Sequence, residues 1–257
     1  MLEEQKRLIP QKIQILKFVA EQGIVSIEDI NRYFYPDRDN SKAIRVTLYD
    51  MEVSHLRYYS PAIKNGVWYI GKQDVYDFLG TYFEEFFYMR VRSPLVHLIP
   101  HYLELNRIRT VIERDSAMVI DKWLKESFLR ALPVYVREEY CSFKIPDAIF
   151  WRKKKDGTRQ KFFLEYERSL KNTNRYVEIF NAYIKCEDVT DKNVLYICHS
   201  TKIKNNLVAI AERQAQIGML DGDCRDFQFL SLEGFYKWGE EEKIKKEGAA
   251  WKNVLSA

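Results

Sequence analysis

The sequence predicts an α+β protein made of a small helical unit that ends in a β-hairpin and a larger unit built on a mixed sheet. Two observations predict this class. Apolar residues recur at helical spacing through the first fifty residues, whereas strand-like runs such as NVLYIC and FQFL concentrate after residue 132 and alternate with helical segments. With 257 residues, 46% of them hydrophobic, the chain can bury a core in each unit. Pro94 marks the predicted boundary, which gives domains 1–92 and 93–257.

Composition and short motifs exclude several classes of protein. No apolar run approaches the roughly 18 residues needed to cross a bilayer, and the segment MLEEQKRLIPQK lacks the apolar stretch of a signal peptide, so we expect a cytoplasmic protein without membrane insertion. Cys141, Cys186, Cys198 and Cys224 form no CxxC pair and are interpreted as reduced structural residues. GxxxxGK[ST], GxGxxG and GxSxG are absent, which argues against P-loop, dinucleotide and serine-hydrolase chemistry.

The first eighty residues predict three helices followed by a hairpin. Gly23 ends the first helix, Ser26 caps the second with Asp29 at the third helical position, and the third helix runs from about residue 41 to 56. An Asn-Gly turn then leads into the strand 67–70. Three helices and a hairpin in this order are typical of a winged helix, in which the third helix enters the major groove of DNA.

The winged-helix interpretation selects six candidate DNA contacts. The net charge of +4 permits nucleic-acid binding without requiring it, but basic residues concentrate between positions 32 and 72. The candidates on the third helix are Lys42, Arg45 and Thr47, and those at the hairpin are Lys64, Asn65 and Lys72. Helices are then predicted over residues 74–92, 95–115 and 118–132, and a strand over 134–136.

Three carboxylates are predicted to gather on one face of the sheet. Asp147 lies on one predicted strand and Glu165 and Glu167 on the next, with a basic hairpin, RKKKDGTRQ, between them. Side chains two apart on a strand share a face, and hairpin pairing can bring Asp147 beside the glutamates. Because three carboxylates repel each other unless a cation lies between them, the pattern indicates an oxygen-ligated Mg²⁺ or Mn²⁺ site.

This pattern resembles a known nuclease family. Pro146-Asp147, a hairpin and Glu165-Tyr166-Glu167 are similar to the PD-(D/E)xK motif of restriction-endonuclease-like nucleases, with Glu167 at the usual lysine position. A winged helix ahead of this D…ExE variant resembles the replication-relaxation family of plasmid proteins, and within it the MobC-type mobilisation relaxases. The likeness covers about residues 12–232.

The resemblance implies a relaxase that binds the origin of transfer on double-stranded plasmid DNA and nicks one strand to start conjugative mobilisation. Asp147, Glu165 and Glu167 then act as metal ligands and catalytic acids. The resemblance also implies a positive charge near the scissile phosphate, which the motif lysine would supply and Glu167 does not. The candidates to supply it are Lys171, Arg175 and Lys185, and we prefer Lys185. Relaxosome accessory proteins and a type IV coupling protein are the implied protein partners.

Two other interpretations remain open. The glutamate at the lysine position suits a non-catalytic relaxosome or replication accessory protein with a degenerate nuclease fold. A winged-helix transcriptional regulator would instead carry a small-molecule pocket and be indifferent to metal. The four histidines do not form the metal-binding cluster of tyrosine-dependent relaxases. We therefore expect hydrolysis by water rather than a tyrosyl–DNA linkage.

Overall fold

The computed structural model of the protein confirms the α+β class. It describes residues 11–52, 56–59, 66–83, 86, 88–91, 95–115, 119–141, 144–154, 156–185, 193–220 and 227–242. The chain divides into two compact units, Met1–Thr110 and Val111–Ala257. Within the described ranges, no helix has both the length and the apolar character needed to cross a membrane.

The first unit contains helices that surround a two-stranded antiparallel sheet. Its helices are α1 (Gln11–Gln22), α2 (Ile27–Phe34), α3 (Ser41–Glu52), α4 (Gln73–Gly80) and α5 (Ile99–Thr110), with a 3₁₀ turn at Val96–Leu98. Its strands are β1 (Leu56–Tyr59) and β2 (Val67–Ile70). The order of three helices and a hairpin agrees with the sequence prediction.

Local capping and one buried tryptophan fix the start of this unit. The Ser26 hydroxyl accepts from the Asp29 amide at 3.1 Å, and the Asp29 carboxylate accepts from the Ser26 amide at 2.9 Å, so the predicted capping box is present. Val25 exchanges two backbone hydrogen bonds with the fully buried Trp68, at 2.8 and 3.0 Å. The segment between α1 and α2 is thereby joined to β2.

Helix α5 belongs to the first unit. The Asn106 side-chain amide is buried and donates to the Ile24 carbonyl at 2.7 Å and to the Asp29 carboxylate at 3.2 Å. Arg109 forms an ion pair with Glu21 at 2.8 Å. These contacts explain why the division between the units lies after residue 110, whereas the sequence analysis placed it at 92/93.

The second unit is built on a five-stranded mixed sheet of order β3-β4-β5-β6-β7. Its strands are β3 (Val119–Lys125), β4 (Ala148–Lys153), β5 (Arg159–Glu167), β6 (Asn193–Cys198) and β7 (Phe227–Ser231). The β3–β4 and β4–β5 pairs are antiparallel, and the other two pairs are parallel. Its helical elements are a π-helical turn at Val111–Asp115, α6 (Glu126–Ala131), α7 (Val134–Glu138), α8 (Thr173–Ile184), α9 (Thr201–Gln216) and α10 (232–242).

Different elements pack on the two faces of this sheet. On the first, which we call the α8 face, Phe180 of α8 packs on Tyr196 and Phe227 with ring centroids 5.9 and 5.3 Å apart. On the second, the α10 face, Phe150 lies stacked between Trp123 at 5.3 Å and Phe162 at 4.8 Å. Buried aromatic packing on both faces makes the sheet a rigid support for polar groups at its ends.

Two predicted elements are wrong, and a third, the helix expected over 74–92, is shorter than predicted because it ends at Gly80. Residues 118–132 were expected to be one helix, but the described part forms the strand β3 followed by the short helix α6. Trp123 packs on Phe150 in the sheet, so tertiary packing outweighs the helical spacing of the segment. Residues 134–136 were expected to be a strand and instead begin α7, directly after Pro133, which is compatible with a helix start.

Candidate functional site

The β4–β5 hairpin brings Asp147 and Glu165 together. The antiparallel register ends at the pair Ala148 with Leu164; Asp147 directly precedes Ala148, and Glu165 directly follows Leu164. Glu165 and Glu167 are two residues apart on β5 and share the α8 face. The turn that sets this register contains Gly157 at φ +85°, a conformation that L side chains rarely adopt.

Glu165 is held by two donors on the α8 face. Its Oε1 atom accepts hydrogen bonds from the Lys144 ammonium and from the Tyr183 hydroxyl. Burial raises the pKa of Glu165 above its ordinary value; the Lys144 charge opposes this shift, and the Asp147 charge adds to it. The effect of Asp147 agrees with its position just beyond the end of the register. Glu165 therefore needs a neighbouring positive charge to remain ionised.

Asp147 is fixed through its side chain and its backbone. Its Oδ2 atom accepts from the Tyr166 amide at 2.7 Å, and its carbonyl accepts from the Glu126 amide at 2.9 Å. The first bond ties the carboxylate to β5, and the second ties the chain to the start of α6. Asp147 is therefore held by β5, by the start of α6 and by β4, which begins at the next residue.

Glu167 lies at the end of β5 and pairs with Lys171. Its carboxylate contacts the Lys171 ammonium, and its side chain is only 7% exposed while that of Lys171 is 43% exposed. Burial, together with the Glu167 charge, raises the pKa of the Cys198 thiol to about 12. Cys198 is consequently a structural thiol and not a nucleophile. This agrees with the sequence interpretation of that residue.

Three tyrosines line the acidic cluster, which we define as Asp147, Glu165 and Glu167. Burial raises the pKa values of Tyr176, Tyr183 and Tyr196, and neighbouring carboxylate charges raise them further. The Tyr196 hydroxyl is fully buried and has no hydrogen-bond partner among the described residues. The charges of all three carboxylates act on this hydroxyl, so it faces the cluster. An orphaned buried hydroxyl of this kind leaves room for a further polar group.

The positive charges beside the cluster come from Lys144 and Lys171. Lys185, the residue preferred from sequence, is the C-cap of α8 and has an exposed side chain. Arg175 is exposed and pairs with Glu178 at 2.7 Å. Lys171 was among the sequence candidates, but Lys144 was missed because it precedes the motif. No spacing in the sequence selects it, since it contacts Glu165 across 21 positions.

The donor set suits a divalent cation with oxygen ligands. Asp147, Glu165 and Glu167 supply carboxylate oxygens, which Mg²⁺ and Mn²⁺ prefer, and the neutral Tyr196 hydroxyl lies beside them without a described partner. In the part of the chain that the structure describes, no three acidic, histidine or cysteine side chains already form a metal-ligating group. The glutamate oxygens that a cation would use instead contact the ammonium groups of Lys144 and Lys171.

The candidate DNA contacts of the first unit differ in their exposure. Lys42 and Arg45 are exposed on α3, whereas Thr47 is half-buried and its hydroxyl donates to the Ala43 carbonyl at 3.0 Å. Lys72 is half-buried and caps the start of α4. Lys64 and Asn65 lie outside the described residues. Val46 and Tyr49, which are 65% and 45% exposed, lie on the same helix.

The basic hairpin lies far from the acidic cluster. Its turn follows β4, and Asp147 precedes β4, so the six residues of the strand separate them. At about 3.3 Å per residue, this separation is about 20 Å. The turn and the cluster therefore lie at opposite ends of β4.

A cavity of about 300 Å³ lies on the α10 face, opposite the cluster. Its lining is apolar apart from Gln228 and includes Phe150, Phe162, Phe235 and Trp238. The cavity is relevant to the regulator interpretation, which requires a small-molecule pocket. Comparisons with family models, curated proteins and solved structures return no match for this chain.

Proposed function

We propose that this protein is a metal-dependent DNA endonuclease that nicks one strand by hydrolysis of a phosphodiester bond. One observation carries the proposal: the Asp147 carboxylate is bonded to the Tyr166 amide of β5 and its charge acts on Glu165, whose carboxylate also contacts the Lys144 ammonium. Oxygen ligands beside a lysine ammonium are the groups needed to bind a cation and a phosphate together.

Asp147, Glu165 and Glu167 would hold Mg²⁺ or Mn²⁺. When bound, the ion supplies positive charge at the scissile phosphate and favours ionisation of a water molecule. Lys171, whose side chain is 43% exposed, can withdraw from Glu167 to admit the ion. Lys144 is 20% exposed and stays at the edge of the cluster, where its ammonium stabilises negative charge on the phosphate.

The first unit supports the choice of DNA as the substrate. Three helices and a hairpin follow one another in the order of a winged helix, and Lys42 and Arg45 are exposed on the third helix. Together with the D…ExE pattern, this extends the proposal to a cytoplasmic relaxase. It would bind the origin of transfer on double-stranded plasmid DNA and nick it for mobilisation, with relaxosome proteins and a coupling protein as partners.

The test is nicking of a supercoiled plasmid that carries the cognate origin, with Mg²⁺ or Mn²⁺ present. Asp147→Asn and Glu165→Gln should abolish conversion to the open circle while retarding the same DNA in a gel to the wild-type extent. Glu178→Gln is the matched control, because Glu178 is 64% exposed on α8 and its described ion pair is with the exposed Arg175. Undiminished nicking by Asp147→Asn would refute the site.

A non-catalytic accessory protein is the second candidate. The glutamates already pair with Lys144 and Lys171, as in a purely structural ion-pair network, and Glu167 stands at the usual lysine position. Titration calorimetry with Mn²⁺ separates the two candidates. A degenerate fold binds the ion no better than the Glu165→Gln variant does, whereas the endonuclease binds it measurably and loses this binding on substitution.

A further inference from the structure

A second set of polar side chains crosses the three antiparallel strands on the α8 face. Lys122, Trp151 and Lys161 are register partners on β3, β4 and β5, and we call them the Lys–Trp–Lys ladder. The two ammonium groups lie 5.7 and 5.8 Å from the centre of the Trp151 ring. Tyr140 joins them, since its ring centre is 6.0 Å from that of Trp151 and its hydroxyl is 3.1 Å from the Lys122 ammonium.

The ladder and the acidic cluster share one face of the sheet. Glu165 and Lys161 are four residues apart along β5, so their side chains point the same way, and Asp147 directly precedes the strand that carries Trp151. The separation is about 13 Å at about 3.3 Å per residue. The apolar pair Ile149 and Phe163 fills the interval. Ile149 and Phe163 are fully buried, so a ligand that contacts both places must pass over the residues that cover this pair.

The surroundings of the ladder are basic and partly open. Lys122 is exposed, and Trp151 and Tyr140 are half-buried, so aromatic rings reach the surface there. The second register pair toward the turn, Lys153 with Arg159, is on the same face, and both residues are exposed. Arg159 pairs with Asp121 at 2.7 Å, which leaves the patch with a clear excess of positive charge. Aromatic rings between cations are the pattern that binds single-stranded nucleic acid.

We propose that the Lys–Trp–Lys ladder binds single-stranded DNA next to the phosphate held at the acidic cluster. The exposed Lys122 contacts a backbone phosphate, and one base stacks on the half-buried Trp151 ring, whose position Lys161 supports by donating to the Tyr140 carbonyl. The place of the reactive phosphate rests on the proposed function, but binding at the ladder can be measured without cleavage. It would hold a strand that has been separated from its complement, and so position it for nicking.

The experiment measures fluorescence anisotropy of a labelled oligo-dT with the full chain in EDTA, in the Asp147→Asn background. Trp151→Leu should weaken binding about fivefold or more, because stacking on one base contributes at least that factor. The same variant should bind an abasic oligonucleotide of equal length as well as the parent does. Lys122→Gln should weaken both ligands and reduce the slope of log K against log salt by about 0.7.

Matched controls are Tyr135→Leu for an exposed aromatic residue and Lys237→Gln for an exposed lysine on α10. Both should bind like the parent, and thermal unfolding of each variant reports its fold. If Trp151→Leu binds oligo-dT as tightly as the parent does, the proposal that the ladder binds DNA is refuted. It is also refuted if Trp151→Leu weakens binding of the abasic oligonucleotide as much as it weakens binding of oligo-dT. Tighter binding of an oligo-U RNA would overturn the assignment to DNA. Because no cleavage is read, failure here is separate from failure of the nicking assay.

Discussion

Replacing Lys144 by Gln removes the ion pair with Glu165. Among the described ion pairs, Lys144 is the only lysine that contacts Glu165. The pair is largely shielded from water, with side chains 20% and 11% exposed. A hydrogen bond between charged groups contributes about 1.5–3 kcal/mol. At about 2–4 °C per kcal/mol, the expected fall in the melting temperature at pH 8 is about 3–12 °C. Glu165 remains bonded to Tyr183, which limits the loss.

Lys171→Gln is the matched control for this measurement. The same substitution removes a lysine from Glu167, but Lys171 is 43% exposed and its pair should be worth less than about 1 kcal/mol. Thermal unfolding followed by circular dichroism compares the two variants, and Glu165→Gln completes a double-mutant cycle with Lys144→Gln. Equal losses for the two lysines, or a coupling energy below about 0.5 kcal/mol, would refute the reasoning.

Four further outcomes are expected. The pKa of Glu165 is raised in the folded state, so burying its charge costs stability at high pH. Glu165→Gln should therefore have a higher melting temperature than the wild type at pH 8. Thermal scans at several pH values should show this difference shrinking toward pH 4.5. Ser26→Ala should cost about 1 kcal/mol in urea unfolding, because Asp29 loses its cap. Phe150→Ala should cost about 3–5 kcal/mol in the same assay, as it empties the stack with Phe162. Cys198, with a pKa of about 12, should resist iodoacetamide at pH 8 by peptide mass analysis until urea unfolds the protein.

The hairpin was the most predictable part of the second unit. Asp156-Gly157 marks the turn, and once a turn is placed the register of its two strands follows, which brings the ends of the strands beside Asp147 and Glu165 together. Strands β6 and β7 were also predictable, since their apolar runs are bounded by polar segments. Local sequence was enough in these places because adjacent elements pair with each other.

Elements fixed by distant partners were not predictable. Strand β3 has helical spacing and becomes a strand because Trp123 stacks on Phe150, which lies far along the chain. Lys144 reaches Glu165 across 21 sequence positions, so no motif spacing selects it. Helix α5 joins the first unit through Asn106, which bonds to the Ile24 carbonyl 82 positions earlier. Tertiary contacts of this kind carry no short-range signal.

The register break in β3 has a consequence beyond the fold. This strand is at one border of the sheet among the described residues, and its pairing with β4 shifts between Ile120 and Lys122. A border strand with regular backbone would recruit another chain and start aggregation, but an irregular one that displays Asp121 and Lys122 resists this. An apolar residue at position 122 should therefore lower the solubility of the protein as well as its affinity for DNA.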